Sequence, residues 1–376
     1  MNSNTLHLLL VTARYFPFMG GIQTHVHEVG RRLAQNGVHV TVLTTIPPSA
    51  RKTLPKEEVV EGMRILRVSA WPPQRDYYLA PKIYSLVTQG KWDLVHCQGC
   101  HTLVPPLAML AAREAKLPYI VTFHTGGHSS DFRKRIRGAQ WRTLRPFFAG
   151  ATKLIGVSQF EADYFRTLLD LPREQFSVIP NGATLPEIVD YPPTSAQVLI
   201  TSVGRLEKYK GHQHMITAFP FLLEKQPDAR LLILGTGPYE APLRALIERL
   251  HLTERVEIRS ISPSDRQGMA RLLSQSALVT LLSDYEAHPL AVMEALALKR
   301  PVLVTDTSGL REIAERGFAK SIPLKSTPEE IAEAALQQIE HPSPAIPSFP
   351  LPTWEDCVQK LQDLYVSSVR REPCVF

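Results

Sequence analysis

Two cations and two carboxylates, each pair at a fixed spacing beside glycine or proline, are the residues of this sequence best suited to chemistry. Gly204-Arg205-Leu206-Glu207-Lys208-Tyr209-Lys210-Gly211-His212 sets Arg205 and Lys210 on a glycine-bounded loop. A guanidinium can fork onto two phosphate oxygens and an ammonium supplies a compact charge, so the pair suits a diphosphate better than it suits a merely solvated loop. Glu286 and Glu294 bracket Ala-His-Pro-Leu-Ala-Val-Met. Pro289 fits the first turn of a helix, leaving Glu286 in the loop before it and Glu294 just over one turn inside. The helix carries Leu290, Val292, Met293, Ala295 and Leu296 and should be buried. A carboxylate there needs partners. It either closes a buried ion pair or accepts hydrogen bonds from paired hydroxyls of a sugar or ribose.

Two further loops join these candidates. Arg14-Tyr15-Phe16-Pro17-Phe18-Met19-Gly20-Gly21 lies between a strand and a helix. Adjacent glycines let backbone approach a ligand, and the following helix N-terminus offers free N–H groups to an anion; a plain strand-helix turn fits equally well. Gln23 and Thr24 stand where the third glycine of a dinucleotide fingerprint would fall, which argues against a nicotinamide cofactor. Phe123-His124-Thr125-Gly126-Gly127-His128 ends another strand and sets His124 at its carboxyl end, either facing a ligand or satisfied within its loop. Cys97-Gln98-Gly99-Cys100-His101 matches the haem c attachment spacing, yet it sits on an apolar strand end with no export signal ahead of it, so coincidence is the better account. The four cysteines are too scattered for a disulfide framework.

The elements that must position these loops alternate along the chain. Strand patterns at Leu6–Ala13, Val38–Thr45, Met63–Val68, Asp93–Cys97, Pro118–Phe123, Lys153–Val157 and Phe176–Ile179 have helical stretches between several of them. A proline-bearing linker, Thr184 to Gln197, follows, and the alternation restarts at Val198–Val203. It runs through strands at Arg230–Gly235, Val256–Ser260, Leu278–Leu282 and Pro301–Thr305. A second proline-rich stretch, His341 to Pro352, precedes a helix from Trp354 to about Val369. The pattern predicts two α/β domains, each a doubly wound parallel sheet: 1–185 with the C-terminal 353–376, and 195–342. Ligands of such sheets bind outside the carboxyl ends of the strands, so the expected active site is a cleft where those edges of the two domains face one another.

With 376 residues, 44% of them apolar and 21% charged, the chain is neither disordered nor fibrous. It contains no membrane-spanning run and no secretory signal, and a cytoplasmic protein is expected. Net charge is +6, unevenly spread: residues 1–185 hold 22 Lys and Arg against 12 Asp and Glu, the remainder 20 against 24. The basic half suits an anionic partner or is simply a basic solvated surface. A nucleic-acid binder is not supported, since no recognition module accompanies the charge.

In their order and spacing these motifs resemble the retaining glycosyltransferases of family 4, with the GT-B fold, over nearly the whole chain. The resemblance also takes in Gly235-Thr236-Gly237-Pro238, Ile179-Pro180-Asn181-Gly182 and Gly309 to Glu312. It implies a nucleotide diphosphate sugar as donor and no metal or other cofactor. Gly20 and Gly21 would lie against the donor pyrophosphate, which Arg205 and Lys210 would neutralise as it leaves. Glu286 would contact hydroxyls of the transferred sugar, Glu294 the ribose, and His124 the C6 side of the sugar. Gly204, Gly235, Gly237 and Leu290 complete the implied donor set, and His128, Arg133 and Asn181 are the acceptor-side candidates. The implied chemistry is retaining, with the leaving phosphate taking the acceptor's proton. Two departures stand out: His288-Pro289 replaces the common Phe-Gly, reshaping the sugar pocket, and Lys299 occupies a turn often held by glycine. The C-terminal helix would cross back to brace the first domain.

The acceptor should be a sugar, a small molecule or a lipid-linked species. Residues 131–148 interleave Arg133, Lys134, Arg135, Arg137, Arg142 and Arg145 with Phe132, Ile136, Trp141, Leu144, Phe147 and Phe148. Such a segment is either a peripheral contact with an anionic membrane face or a helix whose apolar side packs on the sheet. The alternative functions are a GT-B epimerase and a nucleotide-sugar-binding protein without turnover.

Overall fold

Runs of β-branched and leucine residues without polar alternation, such as Leu8-Leu9-Leu10-Val11, need cover on both faces of a sheet, and parallel strands with crossover helices provide it. The computed structural model describes residues 5–18, 20–46, 50, 52–70, 79–125, 138–183, 198–262, 265–342 and 350–369. The described residues of Met1–Thr125, Arg135–Asn181 and Trp354–Phe376 form one compact unit, and those of Gly182–Thr353 the other.

The first unit is built on β1 (His7–Thr12), β2 (His39–Ile46), β3 (Glu57–Val60), β4 (Met63–Ser69), β5 (Leu94–Gln98), β6 (Tyr119–Thr122), β7 (Lys153–Gly156) and β8 (Phe176–Val178). Their order is β3-β4-β2-β1-β5-β6-β7-β8, parallel throughout except for the antiparallel β3–β4 hairpin. Strand order reverses between β1 and β5, the position in an open α/β sheet where a crevice forms at the carboxyl ends. Helix α1 (Gly21–Gln35) turns His25, Val26, Val29, Gly30 and Leu33 inward, a stripe at helical spacing. Helices α2 (Lys82–Gln89), α3 (Val104–Glu114), α4 (Arg145–Ala149) and α5 (Gln159–Leu169) pack against the same sheet.

The second unit contains β9 (Leu199–Val203), β10 (Arg230–Leu234), β11 (Val256–Arg259), β12 (Leu278–Leu281), β13 (Val302–Thr305) and β14 (Lys320–Ile322), all parallel, in the order β11-β10-β9-β12-β13-β14. The switch falls between β9 and β12. Its helices are α6 (His212–Leu223), α7 (Glu240–Arg249), α8 (Arg266–Ser274), α9 (Leu290–Ala297), α10 (Ser308–Glu315) and α11 (Pro328–Glu340), the last begun by a Thr327–Glu330 capping box. The last helix, α12 (Trp354–Val369), belongs to the first unit. It buries Trp354, Cys357, Val358, Leu361 and Tyr365, and Glu355 closes an ion pair of 2.7 Å with Arg32 of α1.

Three elements escape the sequence pattern: β3, a half-exposed edge strand; α10, only two turns long; and β14, of three residues. Pro289 caps α9, which begins one residue later. Residues 138–148 take the second of their two readings. Trp141 and Phe148 are buried, Leu144 and Phe147 pack against the core, and Arg145 donates to the carbonyls of Leu169 and Asp170 at the end of α5. Residues 131–137 lie outside the described residues. Among the described residues no helix is long and apolar enough to cross a membrane.

Candidate active site

In the second unit four strand ends converge in the order of the motifs. Gly204-Arg205 follows β9, Gly235-Thr236-Gly237 follows β10, Ser283–Glu286 lies beyond β12, and Ser308 begins α10 beyond β13. Close backbone approach requires the glycines. A Cβ on Gly235 would stand 1.9 Å from the Gly204 carbonyl oxygen, and one on Gly211 (φ +76°) would stand 1.8 Å from that of Leu282. Gly211 thereby locks the cationic loop onto the end of β12, and a Cβ on Gly237 would meet the Leu206 carbonyl at 2.4 Å.

This packing brings Lys210 and Glu286 together in a close ion pair, although 76 residues separate them. Both side chains are largely buried. Burial works against charge on Lys210, but the attraction of Glu286 outweighs it and holds the ammonium above its ordinary pKa. Glu286 Oε1 also accepts from Ser283 Oγ at 2.9 Å, while the Glu286 N–H donates to Ser308 Oγ at 2.8 Å. Oε2 takes no hydrogen bond from the described residues, so the carboxylate is fixed by one oxygen with the other left for a hydroxyl. Arg205 is turned outward and lies 3.0 Å from Glu207. Its carbonyl accepts from Nε2 of the buried His212, whose Nδ1 accepts from Ser202 Oγ; burial lowers the pKa of this ring to about 4 and keeps it neutral. Glu294 does not join the Lys210 pair. It is 8% exposed and forms an ion pair of 2.6 Å with Arg266 at the start of α8. Leu290 is the half-buried first residue of α9.

In the first unit His124 follows β6 in the left-handed region, φ +49°, and is buried. Three bonds hold that backbone. His101 Nε2 donates to the His124 carbonyl at 2.8 Å, and the N–H and hydroxyl of Thr125 both donate to Glu161 Oε1, at 2.6 and 2.5 Å. Glu161 Oε2 accepts from the Val157 N–H. Burial raises the Glu161 pKa against the pull of these bonds. The ring of His124 meets Gln98 through Nε2 at 2.8 Å and packs against His25, centroids 4.5 Å apart. Asn181 is buried and accepts from His25 Nδ1 at 2.8 Å. Burial pushes His25 to about 4 and His96 to about 3, and drives His124 well below its usual value, so these imidazoles are neutral.

Gly20 and Gly21 differ from the glycines of the second unit. A Cβ on Gly21 would meet nothing within 4 Å, and one on Gly20 only the side chain of Gln23, its oxygen at 2.6 Å. The loop before them is held by Arg67, buried on β4, which donates to the carbonyls of Phe16 and Pro55 and pairs with Glu58. His128 and Arg133 lie outside the described residues. The residues that motif reading passes over are Ser283, Ser308, Arg266, His25, Gln98, Glu161 and Arg67. Gln98 carried a signal, as one of the two residues between Cys97 and Cys100, and the others carried none.

The model of Glycosyltransferase Family 4 matches residues 19–185, and that of Glycosyl transferases group 1 matches residues 189–345. Phosphatidyl-myo-inositol mannosyltransferase of Mycobacterium leprae is 27% identical over 317 residues, spanning 80% of this chain and 79% of its own. D-inositol 3-phosphate glycosyltransferase of Nocardiopsis dassonvillei is 26% identical over 368 residues, spanning 86% and 82%. Among solved structures, HepE of Anabaena in complex with UDP and glucose matches with a TM-score of 0.73 at 18% identity, covering 96% of this chain and 100% of that one. Sucrose-phosphate synthase of Thermosynechococcus elongatus matches with a TM-score of 0.76 at 19% identity, covering 96% and 98%. At these identities the structural likeness shows the fold alone.

Proposed function

The chain belongs to the GT-B glycosyltransferases of family 4 type, and from that premise we propose that it is a retaining, metal-independent hexosyltransferase. It takes a nucleotide diphosphate sugar and delivers the sugar to an acceptor hydroxyl in glycoconjugate synthesis. The observation that carries this reading is the buried Lys210–Glu286 pair, braced by Ser283 and Ser308 at the carboxyl ends of β12 and β13. The pair sets a cation for the leaving diphosphate beside a carboxylate oxygen for a sugar hydroxyl. Arg205, exposed on the same loop, adds a second cation, and Gly20 and Gly21 admit the diphosphate to backbone. These charges act where negative charge develops, as a metal ion does in other phosphate chemistries.

The bond from the anomeric carbon to the phosphate oxygen breaks with its electron pair on the diphosphate. The acceptor oxygen bonds the same face, and its proton passes to the departing phosphate oxygen. Within this reading His124 is assigned to the sugar, Glu294, held by Arg266, to the ribose, and Asn181 to the acceptor. A nucleotide-sugar donor is supported by HepE, which is known in complex with UDP-glucose. An inositol-bearing or lipid-linked acceptor is supported by the names of two relatives, a phosphatidyl-myo-inositol mannosyltransferase and a D-inositol 3-phosphate glycosyltransferase.

The test is a panel of nucleotide sugars in chelator, read by thermal stabilisation and by NMR of the product anomer. One donor should stabilise the wild type at 100 times its dissociation constant by about 2.7 kcal/mol. Its stabilisation of Glu294→Ala should be much weaker, and the product should keep the donor's anomeric configuration. An inverted anomer, or turnover abolished by chelator, would refute the mechanism; binding without transfer to any acceptor would favour a binding protein.

A further inference from the structure

We propose that Gln98 is a positioning residue that fixes the tautomer of His124, so that Nδ1 presents a lone pair to a ligand hydroxyl. The inference builds on the assignment of His124 to the sugar site. Gln98 is the last residue of β5 and pairs in register with Thr122, the last of β6, so its side chain stands beside the segment carrying His124. His124 Nε2 lies 2.8 Å from Gln98 Oε1, an oxygen that can only accept, so Nε2 carries the proton. The ring is neutral, because burial and the neighbouring His25, His96 and His101 disfavour a positive charge. One proton on Nε2 leaves Nδ1 as an acceptor, and Nδ1 takes no hydrogen bond from the described residues.

The nitrogen of the Gln98 amide lies against the ring of the buried His96, 3.2 Å from each ring nitrogen, and those nitrogens are themselves engaged by Tyr365 Oη at 2.7 Å and Thr122 Oγ1 at 2.8 Å. A reversed amide would put N–H groups against His124 and lose the acceptor that holds its proton. The remaining degrees of freedom are closed by the His101 bond to the His124 carbonyl and by the His25 ring on the other side. The titratable groups around His124 are therefore His25 of α1, His96 of β5, His101 beyond β5, Glu161 of α5 through the Thr125 amide, and Tyr365 of α12 behind His96. Selecting one tautomer through a bond to the second nitrogen is a general device for imidazoles that act on a ligand.

Long-range proton–nitrogen NMR on the full chain, labelled in histidine and assigned through His124→Gln, reads the tautomer without reference to activity. Wild type should show His124 protonated at Nε2. Gln98→Leu removes the acceptor at similar volume, should mix the tautomers, and should lower kcat by about 10- to 100-fold, the cost when a metal-ligating histidine loses its orienting partner. Gln98→Glu keeps an acceptor but adds charge. It should retain the Nε2–H tautomer, raise the His124 pKa, and introduce an acid limb into the pH profile of kcat that wild type lacks. Protonation at Nδ1 in wild type, or an unchanged tautomer and rate in Gln98→Leu, would overturn the proposal. If His124→Gln transfers sugar at the full rate, the assignment of His124 fails instead, while the NMR result still decides whether Gln98 sets the ring.

Discussion

Lys210 is the residue at which stability and chemistry are most easily confused, and the structure says how to part them. Replacing it with Met leaves Glu286, 6% exposed, with a buried charge whose remaining side-chain donor is Ser283. Removing one member of a buried ion pair costs about 3–5 kcal/mol, because the partner's charge stays buried without compensation. Amides of Leu278–Leu281, the strand that carries the Ser283–Glu286 loop, report the opening of the second unit by hydrogen exchange. At 1.36 kcal/mol per decade, their protection should fall by about 10²- to 10⁴-fold in Lys210→Met. Adding Glu286→Leu removes the stranded carboxylate and should restore most of the protection. Turnover should not return, since each residue has its own part in transfer; loss of one charge-stabilising donor lowers kcat by about 10²- to 10³-fold. Protection within threefold of wild type in the single variant, or no recovery in the double, would refute the claim that the pair is buried and mutually dependent.

Three more outcomes are expected. The neutral buried histidines His25, His96 and His124 bind no proton in the fold but bind one when unfolded below about pH 6.5, so each lowers the first unit's stability as pH falls below that value, by about 1.4 kcal/mol per pH unit until its own folded pKa is reached; urea unfolding at pH 7 and 5 measures this, and equal midpoints would contradict it. Glu161 has the opposite sign: its raised pKa makes the folded state hold a proton longer, so wild type should lose stability relative to Glu161→Gln as pH rises from the ordinary carboxylate range through the folded value, and a gain over that range would reverse the assignment. Gly21→Ala should leave the melting temperature unchanged or slightly higher, since a methyl there meets no atom within 4 Å, yet weaken nucleotide-sugar binding; calorimetric titration with unaltered affinity would remove Gly21 from the donor set.

Much of the fold was legible because strands buried on both faces carry near-continuous apolar runs, and β1, β10 and β13 announce themselves in this way. Of the three that were not, β3 and β14 lie at sheet edges, where half-exposure or brevity erases the pattern, and α10 is only two turns long. Within the site, Arg205, Lys210, Glu286 and Glu294 stood out because charge beside glycine or in an apolar helix asks for an explanation. Their partners did not. Ser283, Ser308 and Arg266 matter only because parallel strands bring distant loops to one edge, and a serine or a surface arginine has no local signature of that. Cys97-Gln98-Gly99-Cys100-His101 shows the same limit from the other side. Its thiols are buried with their pKa values pushed upward by that burial, and Gln98 and His101 between and beside them make the contacts to His124.

The return of α12 to the first unit sets an order of events during synthesis. Residues of Gly182–Thr353 leave the ribosome as one uninterrupted stretch and can complete their core as they emerge, whereas the first unit waits for Trp354 and Tyr365. Until they arrive, His25 lacks its Trp354 neighbour and His96 its bond to Tyr365. The buried face of α12 is worth on the order of 1.5–3 kcal/mol for each large apolar side chain, and the nascent first unit lacks that stabilisation until the end of the chain is made. The half of the protein translated first is thus the half whose core is completed last.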